Sequence, residues 1–278
     1  MIKKLFRFIF DVVHGARKDD IGAFSAQSAF FMTISVIPFI MLLISIIKFL
    51  PVSQEQLLAL VVEVFPGGAK NLIASFIEET FQKSDAAVIS ITAVYTLWVA
   101  SMGVFSVAKG LNRVFCSDET RGYFHIRIMS MFYTLGVLVM FVLCLILFVF
   151  GNTTTEILHI TVSNSGVAIL IMGMRKVIGI LFLSLFFLFL YVIVPNRKAK
   201  LITQVPGALI SGFGWVGFSY LFSLYYDNMA NFSFLYGSLS VMVFFMLWLF
   251  VCFYILFIGA EINKWTEKQL EKLSLMKK

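Results

Sequence analysis

The residues able to do chemistry are few, and they gather where long apolar runs begin or end. Asn112 and Arg113 close one such run, Glu261 and Asn263 close another, Gln27 and Ser28 lie near the start of a third, and Asp227 and Asn228 follow a fourth. A guanidinium grips a phosphate or carboxylate in a planar fork, and amides and hydroxyls both donate and accept. Such groups cost several kcal/mol in lipid unless paired or wet, so they are candidates for a binding site or a polar path. Their competing role is interfacial anchoring, or hydrogen bonding that glues one helix to another. Glu261, in Ile258-Gly259-Ala260-Glu261-Ile262, needs a cation, and Arg113 stands at the same expected depth.

Catalytic groupings are missing from the pattern. The three histidines, His14, His125 and His159, are far apart, and no pair has metal-ligand spacing. There is no P-loop and no serine in a nucleophile elbow. The expectation is a protein that is not an enzyme and holds no cofactor and no metal. Cys116, Cys144 and Cys252 read as structural thiols.

The elements that must position these groups are membrane helices. Sixty per cent of the 278 residues are apolar, 13% are charged and 32 are phenylalanine. A soluble domain needs about a quarter of its residues charged. Uncharged runs cover Ala23–Ile47, Ala86–Ala108, Ile128–Phe150, Val177–Val194, Val205–Tyr226 and Phe232–Ala260, the last taken as a span over 236–260. Each reaches the roughly 17–25 residues a helix needs to cross hydrocarbon, and lone runs of this kind can satisfy their backbone in lipid only as helices. The expected fold is therefore all-α, a single polytopic domain of six transmembrane helices over 1–278.

Seventeen of the 22 lysines and arginines fall on one side if both termini are cytoplasmic. That asymmetry sets the expected orientation, and it also accounts for the net charge of +7. No basic patch interleaved with aromatics appears, so a nucleic-acid partner is not expected. Residues 1–17 carry Ile2, Leu5, Phe6, Ile9, Val12 and Val13 at helical spacing beside Lys3, Lys4 and Arg7, the pattern of an interfacial amphipathic helix. Residues 51–84 read as an outer helical hairpin broken at Phe65-Pro66-Gly67-Gly68. Gly166–Met174, followed by Arg175-Lys176, reads as a surface helix separate from the fourth span, since joining them sets two cations against hydrocarbon. In the fifth span, Gly207-xxx-Ser211 and Ala208-xxx-Gly212 favour close approach of two helix backbones. Ser25, Ser28 and Ser35 share a face of the first span, which also carries Pro38.

Taken together, several local patterns resemble the YihY/virulence factor BrkB family of bacterial inner-membrane proteins, over nearly the whole chain. They are Ser25-Ala26-Gln27-Ser28-Ala29-Phe30-Phe31 with Pro38, Gly110-Leu111-Asn112-Arg113 with Arg121, and Pro195-Asn196 before Val205-Pro206-Gly207-Ala208. Phe222-Ser223-Leu224-Tyr225, Tyr236-Gly237-Ser238-Leu239, Leu247-Trp248 and Gly259-Ala260-Glu261-Ile262-Asn263 complete the set. Phe30 stands where the family more often has tyrosine, so no role attaches to that hydroxyl. The resemblance implies six spans in the bacterial cytoplasmic membrane. Members look like permeases linked to envelope lipids or lipid-linked glycans; an old ribonuclease label finds no support in these residues. The expected function is a transporter or flippase-like protein for a lipid or lipid-linked envelope component, acting on membrane lipids or lipid-linked glycans. The alternatives are a structural or assembly scaffold for envelope-biogenesis enzymes and, more distantly, an intramembrane lipid-modifying enzyme. The expected partners, besides lipids or lipid-linked glycans, are envelope-biogenesis proteins or further copies of the chain, as a homo-oligomer.

Overall fold

The computed structural model describes residues 2–47, 86–116, 119–157, 165–228 and 238–275, and single helical residues at 55, 58, 77 and 78. The hairpin expected over 51–84 otherwise lies outside the described residues. Among the described residues seven helices follow in order: α1 (Ile2–Lys18), α2 (Ile21–Ile47), α3 (Ala86–Val114), α4 (Tyr123–Ile157), α5 (Ser165–Ile193), α6 (Leu201–Asn228) and α7 (Ser238–Leu275). The chain is an all-α polytopic membrane protein. Five described helices contain apolar stretches long enough to cross a bilayer, within α2, α3, α4, α6 and α7; the matching stretch of α5, Gly179–Ile193, is shorter.

One expectation changes here. Residues 166–174 do not form a separate helix: α5 runs unbroken through Arg175 and Lys176. No proline interrupts the segment, and 29 residues at 1.5 Å each reach about 43 Å. That exceeds the roughly 30 Å of hydrocarbon, so one helix can hold both cations near its edge without a break. The last helix likewise continues beyond Ala260 to Leu275, carrying Glu261 and Asn263 on a rigid extension.

Two compact units can be distinguished. One holds Met32–Val104 and Phe124–Ile160. Its core is Leu42, Ala100 and Leu138, with Phe39, Leu43, Leu97 and Leu135 around them. Gly103 makes room for Met32, and Ser35 donates to the Val99 carbonyl at 3.1 Å. Arg127, 2% exposed, donates to the Trp98 carbonyl at 2.6 Å and stacks over the Trp98 ring. That contact turns an otherwise costly buried cation into an anchor.

The other unit holds Met1–Phe31, Phe105–Tyr123 and Thr161–Lys278. Here α6 packs against both α5 and α7, and α1 rests on α7. The small residues singled out in the fifth span do face neighbours. A side chain on Gly207 would fall on the Gly259 carbonyl, and one on Gly212 would fall on the Ser184 hydroxyl. Apolar packing alone gives little net attraction between helices in lipid, so close backbone contact and hydrogen bonds supply it. Beside the glycines, Tyr191 donates to the Leu256 carbonyl at 2.7 Å. The Ser211 hydroxyl is 2.7 Å from the Tyr191 oxygen and 3.2 Å from the Ile255 carbonyl. At the far end of the crossing, Trp248 donates to Ser219 at 3.2 Å, and Trp215 sits among Phe187, Trp248 and Phe253.

Gly259→Ala should lower stability by about 1–3 kcal/mol, because the new methyl group overpacks the crossing. Gly217→Ala, which meets nothing within 4 Å, should change stability by no more than about 1 kcal/mol, in the stabilising direction. Thermal unfolding of the two variants in one detergent checks the contrast.

Candidate functional site

The polar groups of this second unit concentrate at one end, where α3 and α5 finish, α6 begins, and α7 extends past its apolar stretch. Three linked clusters form there. In the first, α1 and α7 share charge: Lys264 pairs with Asp19 and lies 3.3 Å from Glu261. Asp19 and Glu261 are 3% and 5% exposed. Asp20 has a φ of 53°, the left-handed turn that ends α1 and starts α2, and it leaves Asp19 facing α7. Trp265 donates to Asp11 at 3.3 Å and meets Phe8 edge-on, while Gly15 leaves the room that Glu261 occupies. The apolar stripe of Phe6, Ile9, Phe10 and Val13 remains exposed on the other side of α1.

The second cluster pins the loop after α3. Asn112, 6% exposed, donates to Glu119 at 2.5 Å and accepts from the Asn196 amide at 2.8 Å. Glu119 also takes the Arg121 guanidinium through two bonds of 2.8 and 2.9 Å. Those bonds hold its carboxyl below the usual carboxylate range. Asn196 completes the latch by donating to Thr120 at 3.0 Å.

The third cluster joins α6, α7 and the turn before α6. Arg197 Nη1 lies 2.6 Å from Glu267 Oε2, and the guanidinium stacks 3.7 Å above the Phe115 ring. Glu267 Oε1 accepts from Gln204 at 2.6 Å and from Thr203 at 3.1 Å. Asn263 accepts from the Gly207 amide at 2.7 Å through Oδ1, next to Pro206, which has no N–H of its own. Gln204 and Asn263 are both fully buried. Among the described residues no group of histidine, cysteine and carboxylate side chains suits a metal.

The expected site residues therefore divide. Asn112, Glu261 and Asn263 come together at this end. Ser28 is buried against Ser106 at 3.2 Å, a packing contact, and Gln27 is exposed on α2. Arg113 does not pair with Glu261: it is exposed and lies 3.9 Å from Asp20, while Lys264, one turn along the same helix, takes Glu261. Equal depth did not put them on facing sides of their helices. Asp227 and Asn228 form the last turn of α6, with side chains outside the described residues. Asp19, Arg197, Gln204 and Glu267 were not expected in the site. Spacing signals only two of them: Asn263 and Glu267, and Gln204, Gly207 and Ser211, repeat every three or four residues, so each set shares one helix face. Asp19 and Arg197 lie in turns and carry no periodic signal.

Residues 12–277 match the family model described as virulence factor BrkB. The chain belongs to the virulence factor BrkB family. Relatives of this BrkB-family chain include a ribonuclease-like protein, YfkH, of Bacillus subtilis, 29% identical over 88% of this chain and 90% of the relative. A UPF0761 membrane protein of Aggregatibacter aphrophilus is 23% identical over 85% of this chain and 84% of its own. Another, of Vibrio parahaemolyticus, is 24% identical over 88% and 77%. No solved structure matches the chain.

Lys264→Ala strands two buried carboxylates and should cost about 3–5 kcal/mol. Arg113→Ala breaks only an exposed pair and should cost less than about 1 kcal/mol. The Arg113→Ala/Glu261→Ala double variant should be additive within about 0.5 kcal/mol. Denaturant titration in detergent of the wild type, Lys264→Ala, Arg113→Ala, Glu261→Ala and the double variant reads all three values.

Proposed function

We propose that this BrkB-family protein is a flippase-like transporter of a lipid or lipid-linked envelope component. It would act in the bacterial cytoplasmic membrane, with both termini cytoplasmic, and without a catalytic step of its own. The observation that carries the reading is the charge sunk at one end of the second unit: Asp19, Glu261 and Lys264, and beside them Arg197 and Glu267 with Gln204 and Asn263. Buried ion pairs contribute little stability compared with apolar residues of the same size, so a cluster of ionisable groups buried where membrane helices end is a candidate functional site. A headgroup entering between the helices would find donors and acceptors there, while its chains stay against the exposed apolar faces of α5 and α6.

A second reading, a scaffold for envelope-biogenesis enzymes, draws on a specific fact. Asn112, Glu119, Arg121 and Asn196 are engaged with one another, as a purely structural end would require.

Orientation is tested by single cysteines in a background without native ones. Ser84→Cys and Asn152→Cys should react with an impermeant reagent added to intact cells, and Lys200→Cys should not; the reverse pattern would overturn the topology. Function is tested in proteoliposomes with labelled phospholipids and polyprenyl-linked lipids. Leaflet exchange at least tenfold above empty vesicles is expected for one lipid class. Folded protein that gives no exchange across the whole panel would leave the scaffold.

A further inference from the structure

The third cluster has more hydrogen-bond donors than it uses. Arg197 spends Nη1 on Glu267 and its flat face on Phe115. Its Nε and Nη2, both buried, have no acceptor among the described residues. Those two nitrogens form one edge of the guanidinium, with parallel N–H bonds spaced for two oxygens of a single anion. Asn263 Nδ2 in the same cluster is buried and without an acceptor as well, against one spare acceptor, Gln204 Oε1. A buried donor left unmade costs about 1–3 kcal/mol, and more when it is charged. The surplus is of donors, so the missing partner is rich in acceptors.

We infer that the unpartnered edge of Arg197 is the recognition element of a phosphate site in this cluster. Three features favour a phosphate. Glu267 already neutralises Arg197 from the opposite edge and holds its plane fixed, so the edge is pre-oriented. Lys198 and Lys200, exposed in the same turn, add two positive charges around it. The turn leads straight into the N-terminus of α6, a 28-residue helix, whose dipole favours anions. Depth points the same way. Glu267 lies on the unbroken extension of α7, seven residues past Ala260, roughly 10 Å beyond the apolar run at 1.5 Å per residue. That is the level of lipid headgroups. The phosphate could belong to a lipid or be free in solution, and the site recognises the group common to both. The inference takes from the proposed function only the membrane placement. It concerns binding, so a failed leaflet-exchange assay leaves it standing.

The test uses the full chain in nanodiscs and in detergent. Native mass spectrometry measures retention of phosphatidic acid against phosphatidylcholine, and thermal unfolding is followed with inorganic phosphate. The wild type should retain phosphatidic acid about tenfold better. R197Q and R197K should abolish that preference, the lysine because it keeps charge but loses the fork. R113Q should keep it. E267Q removes the competing negative charge while leaving a polar group for Gln204 and Thr203, and should strengthen retention several-fold. A purely structural Arg197–Glu267 pair predicts the opposite: E267Q and R197Q both weaken folding and neither changes the preference. Competition by millimolar phosphate, with a thermal shift lost in R197Q, would assign the site to free anion; retention without competition assigns it to lipid. Unchanged preference in R197Q overturns the inference. If R197Q does not fold, unchanged or weaker retention in E267Q overturns it.

Discussion

Two helix backbones touch where α6 crosses α7, and the rest of the second unit depends on that contact. Gly207 and Gly259 have no side chains at the crossing, and nothing larger fits. In water such a contact would add little to the burial of apolar surface. In lipid the apolar surface is already solvated, so close packing and hydrogen bonds between helices decide which faces meet. The crossing therefore comes with a row of polar contacts. Trp248 reaches Ser219, Tyr191 and Ser211 reach the carbonyls of Leu256 and Ile255, Asn263 reaches the Gly207 amide, and Gln204 reaches Glu267. The row follows the pair of helices from an aromatic end to a charged end. Fixing the rotation of α7 against α6 thus also fixes where Glu261, Asn263 and Glu267 point.

The charged end is built from two kinds of group. Some are fully occupied by structure, as in the latch of Asn112, Glu119, Arg121 and Asn196, which holds the loop after α3 to the turn before α6. Others keep capacity in reserve, above all Arg197. The first kind makes the second possible, since a guanidinium offers a defined edge only when its stem and neighbours cannot move. The amphipathic α1 joins the same end through Lys264, Trp265 and Phe8. Its exposed phenylalanines suit the boundary between headgroups and chains.

Much of this could be read from the sequence, because hydropathy reports depth in a membrane. The apolar runs located the helices, and the small residues at 207, 208, 211 and 212 located a close crossing. Depth says nothing of azimuth, however. Arg113 and Glu261 each end an apolar run yet do not pair: Arg113 lies near Asp20, and the cation that reaches Glu261 is three residues along its own helix. Arg197 and Glu267 are 70 residues apart, so only the folded helices bring them together. The cost of a cation in hydrocarbon predicts a break at Arg175-Lys176, after the preceding apolar segment; a helix longer than the membrane avoids that cost without breaking.

The central claim is that hydrogen bonds among α5, α6 and α7, with Tyr191 of α5 bonded to Ser211 of α6 and to the Leu256 carbonyl of α7, and not apolar packing alone, join these helices. A double-mutant cycle on Tyr191→Phe and Ser211→Ala tests it with two variants that remove one oxygen each. Unfolding free energies of the four proteins, measured in one mixed-micelle system, should show a coupling of about 0.5–1.5 kcal/mol, the range of interhelical hydrogen bonds in membranes. Losses that simply add, within about 0.3 kcal/mol, would contradict the account.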